Sequence, residues 1–425
     1  MTETAIAQVK GRRVWDSRGR PTVEAEVRLA GGAAGRAIAP AGASRGRGEA
    51  VDLRDGGDRF GGFDVQTAVA HVNGEIATAL CGADGAGQEA VDRILVDLDG
   101  TPDKGRLGGN ALIAVSMAVA HAAAAAAGEP LWRHLGGEKP GRMPVPQVQI
   151  FGGGAHAGRR VDIQDFMVVA LAADSFDQAL EWTAEVYRAA GRLMESAGTL
   201  QGVADEGGYW PVFATNEEGL ETLVRAIEDA GFVPGEEVAV CLDVAASQLG
   251  GGGRYRLGLE GRELDSDGLG EMLAGWIERY PIVSIEDPLA EDDEEGFRRF
   301  MRAVGGKVQV VGDDFLVTDA GRVRRAAAVG ACNALLVKPN QAGTLSEARA
   351  ALEAARAAGW GTIVSARSGE TEDVTIVHLA VGWDAGQIKV GAFARSERMA
   401  KWNEALRIEE SLGPAARFAG REPFP

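Results

Sequence analysis

Cysteine is scarce in this chain of 425 residues, with three in all: Cys81, Cys241 and Cys332. They stand far apart, each in an apolar run, which is the habit of buried free thiols and not of a disulfide framework or a zinc site. A reducing, cytoplasmic setting is the expectation. Long hydrophobic runs are also missing, since no stretch reaches about 18 uninterrupted apolar residues. The nearest approach, Ala111 to Ala127, contains Ser116 and His121 and is rich in alanine, so it reads as a buried helix. The opening residues MTETAIAQVKGRR lack the apolar core of a signal peptide, and neither secretion nor a membrane span is expected. Positive charge is in short supply: 44 Lys+Arg face 62 Asp+Glu, a net charge of −18. A sequence-independent grip on nucleic acid or anionic lipid needs the opposite balance. Of the five histidines, His71, His121, His134 and His378 fall in helical patterns and make no metal-binding pair.

What is present is glycine, 60 residues of it, in a chain that is 45% apolar and 25% charged. This is the composition of a globular protein with many tight turns. Thr22 to Leu29 alternates like a half-buried strand and Gly35 to Ala39 continues it after a Gly-Gly turn, which predicts a small antiparallel sheet. From Val65 to Ala127 the period is helical, broken near Gly82 to Gly87 and Gly100 to Gly109. The expectation is an α+β N-terminal domain over residues 1–138. Residues 139–425 then alternate short apolar strands with amphipathic helices, the pattern of a parallel sheet or barrel. Strand-like runs end at or beside Asp243, Glu286, Asp313, Lys338, Ser365 and Lys389. The last five are 27, 25, 27 and 24 residues apart, one βα unit each, and the 43 residues from Asp243 to Glu286 leave room for an inserted GGGGRYRLGLEGREL segment. Such regularity favours a barrel over an open sheet, within an α/β fold.

In a barrel of this kind the strand ends lie at the face where active sites are built. Asp243, Glu286 and Asp313 should therefore converge, and three neighbouring carboxylates stay ionised only beside a cation. Oxygen ligands suit Mg²⁺. Lys338 and Lys389 join the same rim, where each is expected to depress the other's pKa and suit one of them to act as a base. Carboxylates, metal and lysine together suggest proton abstraction next to a carboxylate. A single polar residue at a strand end is ordinarily a solvated or capping group, but five in register are not explained that way. His156, in Gly152-Gly-Gly-Ala-His-Ala-Gly, is flanked by glycines that let a loop close over a ligand, and Asp205-Glu206-Gly207-Gly208 reads at the least as a turn.

Eight segments carry a resemblance: WDSRGRPTVEAEV, PAGASRGRGEA, LGGNALIAVS, DEGGYWP, SIEDPLAEDD, KPNQAGTL, RSGETED and RSERMAKWNE. Over nearly its whole length the chain resembles the enolase family. The resemblance implies an N-terminal α+β lid domain, an enolase-type (β/α)8 barrel, a homodimer and two Mg²⁺ ions. It implies that Asp243, Glu286 and Asp313 hold the first metal and that Ser44, on a mobile loop, helps hold the second. Lys338 is then the base for the α-proton of 2-phosphoglycerate, and Lys389 neutralises the substrate carboxylate as it gains charge, in keeping with the Mg²⁺-and-lysine pattern of such sites. Glu206 corresponds to the acid that protonates the departing hydroxyl, Arg367 and Ser368 to the phosphate-binding pair, and His156 to the histidine of the closing loop.

Departures from the family pattern gather on one side of that site. Ala366 stands where the family has histidine, in Ser365-Ala366-Arg367-Ser368-Gly369-Glu370. Asp165 stands in place of glutamate, which shortens the hydroxyl-side carboxylate by one methylene, and a shift of roughly an ångström can cost roughly 100-fold in rate. Ala204, Gly152 and Ala41 alter three neighbouring loops. The resemblance then implies a specialised lyase that still forms the enolate of a small phosphorylated carboxylate, of the carboxyphosphonoenolpyruvate synthase type found in phosphonate and phosphinate pathways. The alternatives are an ordinary enolase with altered surroundings and a non-catalytic enolase-like binding protein. A sugar-acid dehydratase of the mandelate-racemase kind fits the barrel and metals but does not explain DEGG or the RSGE loop.

Overall fold

The structure is a computed structural model that describes residues 2–43, 45–137 and 142–425. The expected division between residues 138 and 139 falls on residues outside that description. At the N-terminus, β1 (Ile6–Trp15), β2 (Pro21–Leu29) and β3 (Ala34–Ile38) form an antiparallel sheet in the order β1-β2-β3. The sheet and turn between β2 and β3 match the alternation in the sequence. β1 was not expected, because its VKGRR centre breaks the apolar alternation. Helices follow: α1 (Gln66–His71), continued through a wider turn at Val72–Ile76 into α2 (Ala77–Leu80), then α3 (Gln88–Asp99), α4 (Gly109–Ala127) and α5 (Leu131–Gly136).

α4 lies across β2 and β3 and is buried along most of its length. It is the one described helix long and apolar enough to cross a bilayer, and 78% of that apolar window is inside the protein. Its alanines let the sheet approach closely. A Cβ at Gly35 would sit 2.2 Å from the Ala118 carbonyl oxygen, so only glycine fits that crossing.

The second part is a closed barrel of eight strands: β4 (Val145–Gly152), β5 (Asp165–Ala170), β6 (Val238–Asp243), β7 (Ile282–Glu286), β8 (Gln309–Gly312), β9 (Ala334–Val337), β10 (Gly361–Ser365) and β11 (Gly386–Gly391). β11 pairs with β4 to close the ring. Seven of the strands run parallel, but β5 is antiparallel to both β4 and β6. This departs from the all-parallel reading. The link from β4 to β5 holds only a short turn at Gly154–Ala157 and no crossover helix, and parallel neighbours need such a crossover. Helices α6 (Phe176–Ala197), α7 (Asn216–Asp229), α8 (Ser266–Arg279), α9 (Glu294–Val304), α10 (Ala320–Val329), α11 (Leu345–Ala357), α12 (Thr375–Gly382) and α13 (Ser396–Leu412) follow in the chain. Side-chain caps from Ser175, Thr215, Asp265, Asp293, Asp319 and Thr344 start six of them. The inserted glycine-rich segment forms a three-stranded antiparallel meander over residues 250–265.

The reversal of β5 has a direct effect on chemistry. Its first residue, Asp165, lies at the end of the barrel where its neighbours finish, directly opposite Asp243 of β6. Asp243 in turn pairs in register with Glu286 of β7.

One expectation about the thiols is corrected. Cys241 and Cys332 are buried, but Cys81 is exposed just after α2, because the apolar run that contains it ends at the helix C-terminus. A disulfide reagent such as DTNB is expected to titrate one thiol rapidly in the folded protein and all three in denaturant; two or more fast thiols would contradict this burial.

Candidate active site

The strand ends converge as expected. β6, β7 and β10 finish on Asp243, Glu286 and Ser365, Asp313 and Lys338 immediately follow β8 and β9, and Lys389 lies in β11. All these side chains are buried. A small cleft of about 20 Å³ is lined by His156, Asp165, Glu206, Asp243, Lys338, Ala366, Arg367, Ser368 and Lys389, with Gly42, Ala43, Gln164 and Ser365 completing the wall. Glu286 and Asp313 stand behind it, joined through the lysines. Ser44 lies outside the described residues.

Lys389 is the centre of the floor. Its Nζ lies 2.8 Å from Asp243 Oδ2, 2.9 Å from Glu286 Oε2 and 3.2 Å from Asp165 Oδ2. Lys338 Nζ donates to Asp313 Oδ2, and Gln341 Nε2 holds the other Asp313 oxygen at 2.9 Å. Lys389 does lower Lys338 as expected, but the carboxylates outweigh it and the net depression expected of the two lysines does not occur. Burial works against the charge of Lys338, but Asp313 outweighs it and the pKa stands above the ordinary lysine value. Lys389 is likewise opposed by burial and raised well above its ordinary value by Asp243, Glu286 and Asp165. Distance decides the sign, since each ammonium is in contact with carboxylates and not with the other ammonium.

The carboxylates outnumber these two cations. Burial, with Asp243 adding to it, pushes Glu286 well above the usual carboxylate range, and its Oε1 has no hydrogen-bond partner among the described residues. An unpartnered, buried carboxyl oxygen beside further carboxylates is a donor set that fits a hard divalent cation, whose charge would offset the repulsion among them. Two tighter groups are also present, with ligand atoms within 4.8 Å of one another: Asp287, Asp313 and Asp314, and His156, Asp165 and Glu206. Asp287 and Asp314 were missed in the sequence, although each directly follows a residue that was singled out. In the first group the Asp287 carboxylate accepts the backbone N–H of Asp313 and Asp314 at 2.9 and 2.8 Å, so it shapes the turn that carries Asp313.

The acid side of the cleft is built from loops. His156 Nδ1 is 3.4 Å from Asp165 Oδ1 and its Nε2 is 3.9 Å from Glu206 Oε1. Burial opposes protonation of His156, yet Glu206 and Asp165 raise its pKa. Burial also raises Glu206, against the pull of His156, so this group is biased toward holding a proton. Asp165 goes the other way: burial would raise it, but Lys389 and His156 hold it well below the usual range. Two carboxyls a few ångströms apart are thus driven to opposite protonation states, the pattern that separates an acid from a charge stabiliser. Gly207, at φ +91°, makes the turn that presents Glu206, and a Cβ there would meet the Ala394 carbonyl oxygen at 2.3 Å.

On the opposite wall, Arg367 donates to Glu49 at 3.0 and 3.3 Å and to Asn340 Oδ1 at 3.1 Å. Ser368 Oγ accepts the Ala43 N–H at 2.7 Å, which pins the 41–43 segment to the site. Glu49 and Asn340 carried no signal of their own in the sequence, although both lie in or beside quoted motifs. Behind this loop, Arg398 is fully buried and donates to the carbonyls of Arg367, Ser368 and Val390.

Residues 6–135 match the family model described as the enolase N-terminal domain, and residues 141–424 match the enolase C-terminal TIM barrel domain. An α+β domain followed by a barrel with buried carboxylates and lysines at its strand ends agrees with these two models, which describe enzymes generally of the lyase type. The chain belongs to the enolase family.

Arg398→Ala would leave three buried carbonyls without their donor. The expected cost is about 3–5 kcal/mol, read as a lowered urea midpoint at unchanged slope. A loss below about 1 kcal/mol would mean that the loop holds its shape without Arg398.

Proposed function

We propose that this enolase-family lyase removes the α-proton of 2-phosphoglycerate or a close analogue with Mg²⁺ bound, and that its leaving-group side is specialised. The carboxyphosphonoenolpyruvate synthase type of the phosphonate and phosphinate pathways is the reading favoured. One observation carries it: a single cleft in which the base and phosphate sides keep the family's residues while the acid side keeps Glu206 and His156 but departs at Asp165 and Ala366. Lys338, Lys389, Arg367 and Ser368 match that pattern and line the cleft together. Ala366 lines the same cleft in place of an imidazole, and Asp165 is bound to Lys389 and Gln149, at the shorter reach of an aspartate.

The chemistry follows from charge. Removing a proton next to a carboxylate makes a dianion, so the site must present positive charge where that charge develops. In this reading Lys389 meets the substrate carboxylate, Lys338 takes the α-proton, and Arg367 and Ser368 hold the phosphate. Asp243, Glu286 and Asp313 would hold the metal, as the unpartnered Glu286 oxygen supports. Bound there, Mg²⁺ would draw the charge of Asp313 away from Lys338, freeing it as a base, and would stabilise the dianion. Glu206, with its raised pKa, is the proton donor on the far side. That same property favours the second reading, an ordinary enolase whose acid still protonates a leaving hydroxyl. The two readings differ in the fate of the third carbon, where Ala366 leaves room for a different leaving group or a second reactant.

Lys338→Ala is expected to slow α-proton exchange of 2-phosphoglycerate in deuterated water, followed by NMR, by roughly 100-fold or more. Undiminished exchange would remove Lys338 from the base role. Combining Ala366→His with Asp165→Glu is expected to raise phosphoenolpyruvate formation, measured by ultraviolet absorbance, by roughly 10- to 100-fold. Rapid dehydration by the unaltered protein would establish the ordinary enolase reading instead.

A further inference from the structure

The turn at Gly154–Ala157 that carries His156 has a second face. Beyond it is a separate cavity of about 260 Å³, lined by Gly154, Arg159, Asp162, Gln248, Leu249, Arg256 and Gly258. This is near the lower end of pockets that take small organic ligands. Arg159 comes from the loop after the His156 turn, and Arg256 comes from the inserted meander. Neither guanidinium makes an ion pair among the described residues. Arg256 has Glu263 opposite it in the meander register, but the two form no ion pair. The cavity's one acidic residue, Asp162, is already engaged: Oδ1 accepts from Gly258 N–H at 2.8 Å, and Oδ2 accepts from Leu259 N–H at 3.1 Å and Asn216 Nδ2 at 2.8 Å. Arg256 and Leu249 also border an adjoining cavity of about 330 Å³, where Arg254 is balanced by Glu263 and Asp265, so the excess of positive charge belongs to the first cavity alone. In a chain of net charge −18, two unengaged arginines facing one hollow are a local reversal of sign.

The wall of this cavity is connected to the catalytic centre. Gln248 Oε1 accepts the Ala155 N–H at 2.9 Å, and its amide donates to Gln164 Oε1. Gln164 Nε2 donates in turn to Asp243 Oδ2 at 2.9 Å. Two side chains, Gln248 and Gln164, thus join the cavity, the His156 turn and a carboxylate of the floor.

We propose that this cavity is a second anion subsite, outside the catalytic cleft, for a small organic phosphate, phosphonate or carboxylate, with Arg159 and Arg256 as its charge-bearing residues. A guanidinium presents paired donors suited to such oxyanions. An anion held there bears on the His156 turn through Gly154 and Gln248. The assignment of the site stands on the cavity and its arginines alone. A role for its occupant as a second reactant rests on the proposed function.

Phosphonoacetate carries both anionic groups, and titrating it calorimetrically into the full chain with Mg²⁺ at low ionic strength tests the subsite without screening the exposed arginines. Two binding events are expected. Arg159→Gln combined with Arg256→Gln is expected to weaken one event by roughly tenfold or more and leave the other. Arg367→Gln is expected to do the reverse. An isotherm unchanged by the paired substitution, or a single event abolished by Arg367→Gln alone, would overturn the subsite. Loss of one event in the paired variant, with both retained in Arg367→Gln, would uphold the subsite and instead remove Arg367 from phosphate binding.

Discussion

The contact on which the site depends is the one between Lys389 and three carboxylates from three different strands. Asp165, Asp243 and Glu286 are all nearly inaccessible, and taking charges out of water costs several kcal/mol per ion unless they are paired closely. Lys389 supplies that pairing from β11, across the barrel from the strands that carry the acids. The arrangement exists only because the barrel is closed and because β5 is reversed. Were β5 parallel, Asp165 would begin its strand at the far end, and the ammonium would have two partners instead of three.

A second constraint is how near the capping domain comes to the barrel. The segment at Gly42 and Ala43 forms part of the cleft wall, and a bridge between Ala41 and Gly369 ties it to the phosphate-side loop. Gly369 lies against Arg18, Asp16 and the Ala41 carbonyl, where a Cβ would come within 2.4–2.7 Å of all three. Arg398 fixes the same loop from behind through its carbonyls. The two domains therefore meet at the site itself, and the loop between β10 and α12 is shaped by residues on both sides.

Much of this was legible in the chain because barrel strands are buried on both faces and end abruptly in polar residues. VAVCLD and IVSIED announce both the strand and the group it presents. The spacing of about one βα unit separated a barrel from an open sheet. The direction of β5 was not legible, since DFMVVA is equally apolar in either direction and only the missing crossover helix distinguishes them. The signs of the lysine pKa shifts were not legible either. They depend on which carboxylate each Nζ touches, and that is set by register between strands far apart in sequence. Asp287 and Asp314 escaped notice for a related reason: next to Glu286 and Asp313 they look redundant, but each helps to form a turn or a cluster that the neighbouring residue cannot form alone. Cys81 was misplaced because an apolar run was read as burial, although its last residue had already left the helix.

The two halves of the cleft differ in how they are held, which bears on where the reaction can change. Lys338, Lys389, Asp243 and Glu286 sit in or directly at the ends of barrel strands, and moving any one of them means shifting a hydrogen-bonded ladder. His156, Glu206 and Ala366 sit on a short 3₁₀ turn, a glycine turn and a loop. Their positions are set by a few contacts, such as the Gly207 turn and the Gln248 amide. Residue type can change there without disturbing the fold, whereas a change at Lys389 would leave three buried carboxylates without their counter-charge. The strand ends are thus the fixed half of the cleft, and the loops are the half in which residue type can vary at least cost to the fold.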